Sequence, residues 1–223
     1  MDRFRQFLGL VRKEMLLEWR QKYAISGILL YVVSTVFVVF LSFANARINP
    51  AVWNVLLWVI ILFAAVNAVA KSFFQESGAR QLYYYTLMDP YLVLLSKVTY
   101  NFILMLALSS LAFLSLSTFA GNNIQRPDLF AAALGMGSLG LAAVFTFISG
   151  IATKAKNSAT LMAVLGFPTV IPMLLLLVKL TAGATGMGMD SQEGFQKDLL
   201  LLCGIDVIII AVSIILFPYL WRD

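Results

Sequence analysis

The chain has 223 residues, 61% of them hydrophobic and 12% charged, with a formal net charge of +5 and no histidine. A soluble domain is about 45–50% apolar and about 25% charged, so the composition argues against an ordinary soluble fold. The missing imidazole excludes histidine-based catalysis and histidine ligation of a metal or haem by this chain.

The apolar residues gather in runs of roughly 20, the length that crosses a hydrocarbon core at about 1.5 Å per helical residue. A β-barrel would instead alternate apolar and polar residues over segments of about 10. The expected fold class is therefore all-α: a polytopic membrane protein, one transmembrane domain over residues 1–223, with six transmembrane helices and an N-terminal amphipathic interfacial helix.

Residues 1–23 come first as that interfacial helix. Phe4, Phe7, Leu8, Val11, Met15 and Trp19 recur at helical spacing, with Arg5, Arg12, Lys13 and Arg20 mostly on other faces. Such a helix lies in the membrane interface against lipid headgroups, as a plain anchor, as a lever touching a cytoplasmic partner, or as both. A cleavable signal peptide is not expected, because the first apolar run starts only after more than twenty mixed residues.

The expected spans are Ala24–Ala44, Ala51–Ala70, Tyr91–Phe119, Leu129–Ala152, Ser158–Val178 and Leu199–Leu220. With the N-terminus in the cytoplasm, twelve Lys and Arg residues fall on the inner side. Only Arg47, Arg126, Lys179 and Lys197 fall on the outer side. That bias places both termini inside. The positive charge is thus a topology signal, and no nucleic-acid partner is expected.

Between the second and third spans lies residues 71–90, KSFFQESGARQLYYYTLMDP. It mixes Lys71, Glu76, Arg80 and Asp89 with Phe73, Phe74, Leu82 and three consecutive tyrosines. A solvated loop needs no such aromatics, whereas an amphipathic segment that docks on a partner does. The other acids of this side, Glu14 and Glu18 among them, have basic neighbours and read as surface pairs.

The fourth span contains GMGSLG, which formally matches a dinucleotide fingerprint. That motif needs a preceding strand and a solvent-facing helix start. Inside an apolar helix these glycines read as helix packing. In the fifth span, GFPTVIP places Pro168 and Pro172 one turn apart. Each removes an amide donor, so the helix is expected to kink or locally unwind, either as a static bend or as a hinge or cavity-lining break. The longest outer segment, Lys179–Asp198, is glycine-rich.

The sixth span holds the single cysteine, Cys203, which reads as a packing residue, and Asp206. An Asp in a span is costly and a functional candidate by default, for transport or proton movement. Its spacing from Asp198 places it in the outer half of its helix, within reach of the interface or of a polar partner such as Asn67.

No enzyme chemistry is expected. The chain has no G-x-x-x-x-G-K-[ST] phosphate loop, no H-E-x-x-H, no G-x-S-x-G and no cysteine cluster. It therefore has no means of its own to hydrolyse ATP by the phosphate-loop route.

Six spans, an amphipathic N-terminal helix and a polar insert after the second span resemble the membrane subunit of ABC-2-type exporters. In that class the insert is a coupling segment that fits a groove on a separate ATPase. The class pattern runs from an aromatic through an acid, a glycine, a leucine and a proline to a lysine opening the next span. Phe74, Glu76, Gly78, Leu82, Pro90 and Lys97 fill those places.

Length, the near-absence of extramembrane domains and LGFPTVIPMLLLL resemble most closely the CcmB family of cytochrome c maturation. Many of its members have a richer acidic run in the insert, where this chain has Gln75-Glu76. The resemblance implies a CcmA-like ATPase bound through Phe74, Glu76, Gly78, Arg80 and Leu82, a CcmC-like haem-handling protein and a CcmE-like haem chaperone. It also implies a bacterial inner membrane, and two copies or a hetero-oligomer. ATP then belongs to the partner, haem is a substrate of the complex, and this chain binds no cofactor itself. An ABC-2 permease for a lipid, drug or peptide, or a membrane assembly scaffold, would share the same plan.

Overall fold

A computed structural model describes residues 3–20, 22–43, 48–69, 73, 89–152, 158–187 and 192–222. Among them are seven helices: α1 (Arg3–Arg20), α2 (Lys22–Ser42), α3 (Pro50–Val69), α4 (Pro90–Ala120), α5 (Pro127–Ala152), α6 (Ser158–Ala184) and α7 (Gln192–Arg222). The described residues contain no strand.

Local chemistry sets the helix ends. α3, α4 and α5 each open on proline, whose missing N–H is one the first helical turn cannot use. Ahead of α3, the Asn49 side chain accepts from the Ala51 N–H at 2.9 Å, an N-cap bond. Gly121, at φ +87°, follows the end of α4. α6 is closed by a Schellman turn: Gly186 takes φ +74°, and the Met187 N–H donates to the Ala182 carbonyl at 3.2 Å. The Gln125 and Arg126 amides donate to the Ala184 carbonyl at 3.0 Å. The α4–α5 connection is thereby stitched to the end of α6.

Among the described residues, five helices, α3 to α7, are long and apolar enough to cross a membrane. The remaining expected span, α2, is 21 residues long and carries no charged residue after Lys22. At about 1.5 Å per residue it is about 31 Å long, the thickness of a hydrocarbon core. The expected edge of the fifth span at Val178 falls short, because α6 continues to Ala184. The expected outer segment Lys179–Asp198 shrinks accordingly, since both its end residues are helical.

α5 is the middle of the bundle and packs against α3, α4, α6 and α7. Its composition explains the position. Ala133, Gly137, Ser138, Gly140, Ala142, Ala143 and Gly150 are all buried on it, and small residues let backbones approach closely in lipid. A Cβ on Gly137 would lie 2.6 Å from the Trp58 ring of α3 and 2.8 Å from Leu177 of α6. Two of the three glycines of GMGSLG thus serve as contact points, while Gly135 meets nothing within 4 Å. α7 carries much of the outward apolar surface, with Leu200, Leu201, Val207, Ile208 and Ile215 exposed.

Hydrogen bonds tie the helices where hydrocarbon offers none. The Thr181 hydroxyl of α6 accepts from the Trp58 indole at 2.9 Å and lies 2.5 Å from the Asn54 amide oxygen. The Asn54 amide also donates to the Val178 carbonyl at 2.7 Å. The Asn101 amide donates to Thr146 at 2.8 Å, and Ser138 donates to Ser109 at 3.1 Å, joining α4 to α5. Thr181→Val keeps the shape but strands the buried Trp58 donor. We expect it to cost about 1–2 kcal/mol, read as a lowered unfolding midpoint in detergent micelles.

Candidate functional site

The end of the bundle that carries α1 holds a buried charged junction. Leu10 and Glu14, one turn apart on α1, face inward and are buried, while Phe4, Leu8, Met15 and Trp19 face outward. The apolar stripe of α1 is thus mostly free to lie in lipid, and the opposite face docks on α4. Glu14 lies 3.2 Å from the Lys97 ammonium of α4 and 3.1 Å from that of Lys13. Lys97 is 0% exposed. Glu14 is therefore no surface pair, contrary to the expectation from its basic neighbours. Its partner is on another helix, and the pair is withdrawn from water.

The first residues after α3 enter the same junction. Lys97 sits 4.8 Å from the centroid of the Phe73 ring, a cation–π contact that is worth about 2 kcal/mol when desolvated. The Phe73 N–H donates to the Ser149 hydroxyl of α5 at 3.3 Å. The Phe73 ring packs on Phe217 of α7 at 5.5 Å. Phe73, Leu94, Val98, Ala143 and Phe217 form one apolar cluster. Gly150 leaves room for it, since a Cβ there would lie 3.1 Å from the Phe217 ring. Five elements meet at this place: α1, the start of the insert, α4, α5 and α7. A displacement of Phe73 must be felt by all of them, because close-packed interiors do not yield locally.

The expected docking residues Phe74, Glu76, Gly78, Arg80 and Leu82 lie outside the described residues. So do Lys71 and the three tyrosines, and the insert is described only at Phe73 and from Asp89 onward. Pro168 and Pro172 lie within α6, which is continuous from Ser158 to Ala184. Both side chains are exposed, on the outward side with Val164, Ile171 and Leu175. The expected local unwinding is absent, and neither proline lines an interior space. On the outward side each ring displaces no neighbouring helix, so the helix passes through.

Asp206 lies deeper than expected. It sits near the middle of α7, beside Gly140 near the middle of α5 and Met173 near the middle of α6. It is 1% exposed. The outer-half placement assumed that the helix begins after Asp198, whereas α7 begins at Gln192. Asn67 is not its partner, because that amide donates to the Phe63 carbonyl at 2.9 Å on the exposed side of α3. Nearer the far end of the bundle, Asp198 is buried and pairs with Lys179 at 2.7 Å, holding α6 to α7.

Sequence reasoning missed the Glu14–Lys97 pair, Phe73, Phe217 and the Gly137–Trp58 contact. One signal was present: Lys97 stands seven residues past Pro90 inside a span, about 10 Å along the helix. A lysine at that depth requires a partner.

Described residues hold no cluster of three or more His, Cys, Asp or Glu suited to a metal. A family model described as CcmB protein matches residues 5–220. No curated protein and no solved structure matches the chain.

Proposed function

The chain belongs to the CcmB family, whose members are membrane components of the haem exporter of cytochrome c maturation, and on that premise we propose that it is the permease subunit that receives work from a separate ATPase. The observation that carries this reading is the junction around Phe73. The residue at the head of the insert is held by Lys97, Ser149 and Phe217, so force applied to the insert has a path into α4, α5 and α7. The Glu14–Lys97 pair extends that path to α1.

The roles divide as follows. Phe74, Glu76, Gly78, Arg80 and Leu82 form the docking surface for a CcmA-like ATPase, which binds the ATP. The N-terminus and the insert face the cytoplasm of a bacterial inner membrane, in line with the bias of Lys and Arg towards that side. A CcmC-like protein handles haem alongside, and a CcmE-like chaperone receives it. Haem is the cargo of the complex rather than a ligand of this chain, which offers no histidine to hold it. Pro168 and Pro172, on the lipid-facing side of α6, permit that helix to bend during the cycle.

Charge reversal at the docking surface tests the assignment. Glu76→Arg and Arg80→Glu should each weaken retention of the ATPase by tenfold or more, about 1.4 kcal/mol. The subunit itself should still accumulate in the membrane. Full retention of the ATPase and of its stimulation in both variants rules the docking surface out.

A further inference from the structure

Asp206 is a carboxyl group buried at the meeting of three membrane helices. Neither of its oxygens has a hydrogen-bond partner among the described residues. One oxygen lies against Gly140, in the space a Cβ would take, and the Met173 thioether closes the same space from α6. No cation faces it. α5 carries no titratable residue beyond Asp128 in its first turn. On α6 the basic residue is Lys179, engaged with Asp198. On α4 the groups are Lys97, engaged with Glu14, together with Tyr91 and Tyr100. Its own helix carries Glu193, Lys197, Asp198, Cys203, Tyr219 and, sixteen residues or about 24 Å along, Arg222. Asp198 is eight residues away, about 12 Å along the helix, and Phe217, which marks the Lys97 junction, is about 16 Å away in the other direction.

An ionised carboxylate in such a place loses its hydration and gains nothing in return, a penalty of several kcal/mol. A hard metal cation would require several oxygen ligands, and here one carboxyl and a thioether converge. A proton requires a single oxygen.

We propose that Asp206 is a proton-binding site, occupied when α5, α6 and α7 are packed as in this structure, and that release of the proton parts α7 from Gly140 and Met173. The glycine explains the coupling. Because the carboxyl fills the space beside Gly140, water can solvate the ionised group only if the helices separate. The site is about 16 Å along α7 from the Phe73 junction and stands independently of the ATPase reading. Its chemistry is transfer of one proton between the Asp206 carboxyl and water, with no other bond made or broken.

Infrared spectroscopy of the purified protein in lipid tests the occupied state. At neutral pH the wild type should show the carbonyl stretch of a protonated carboxylic acid, and Asp206→Asn should lack it. Symmetric and antisymmetric carboxylate bands assigned to Asp206 under the same conditions would overturn the proposal.

The native Cys203, one turn from Asp206 on α7 and the single cysteine of the chain, reports the second half. Labelling by a maleimide rises at most about tenfold per pH unit from thiolate formation alone. In wild-type membranes it should rise more steeply on the alkaline side, and in Asp206→Asn it should not. A wild-type profile no steeper than thiolate formation contradicts the parting of the helices, and that profile needs no variant to fold.

Discussion

Lys97→Met is expected to destabilise the protein by about 3 kcal/mol and to disconnect α1 from the bundle. The size follows from what is left behind. Removing one partner of a buried ion pair costs about 3–5 kcal/mol, because the other charge stays buried and uncompensated. Here Lys13 remains 3.1 Å from Glu14, which puts the loss at the lower end of that range. Glu14→Gln in the same chain should recover much of it, since a neutral amide tolerates burial without a cation. The double variant still lacks the cation over the Phe73 ring. Its unfolding midpoint should lie above that of Lys97→Met and below the wild type, while ATPase stimulation in the complex remains low. Unfolding midpoints of the two single variants and the double, set beside ATPase rates of the same preparations, separate these effects. Additive destabilisation with normal stimulation throughout would show that the pair is neither coupled nor used.

Gly137→Leu should have the other large effect. A single added carbon already lies 2.6 Å from the Trp58 ring and 2.8 Å from Leu177, inside van der Waals contact with groups that are themselves fully buried. Overpacking of this kind costs about 1–3 kcal/mol for small additions and more for large ones. Leucine would push α5 from both α3 and α6 and break the Trp58–Thr181 bond beside it. We expect loss of accumulation in the membrane for Gly137→Leu and partial loss for Gly137→Ala. Gly135→Leu is the internal control, two residues away on the same helix with nothing within 4 Å, and should accumulate normally. Equal behaviour of the two leucine variants would mean that α5 is not packed as described.

These two sites show what hydropathy alone conveys. The helices from Pro50 onward are legible because a bilayer demands long apolar runs, and prolines at 50, 90 and 127 mark three of their starts. By the same logic GMGSLG reads as helix packing and not as a nucleotide motif, and Gly137 and Gly140 do pack against neighbouring helices. Pairing between helices is a different matter. Glu14 and Lys97 are far apart in sequence, and Glu14 has a basic neighbour that offers a simpler local explanation. Asp206 was legible as an anomaly, but its depth was not. Glu193, Lys197 and Asp198 look like loop residues, whereas α7 begins ahead of them, and the carboxyl moves to mid-helix. Pro168 and Pro172 suggested a break because proline lacks a donor; their outward position could not be read without knowing which face of α6 meets α5.

In the proposed function residues 71–90 receive work from an ATPase. A photo-crosslinking amino acid at Phe74, introduced into the full chain in native membranes, tests it directly. The expected result is one dominant adduct with a protein that carries a G-x-x-x-x-G-K-[ST] phosphate loop, formed with less yield in Arg80→Glu. Adducts with lipid alone, or with membrane proteins that lack a nucleotide site, from a complex that is otherwise intact, would contradict the account.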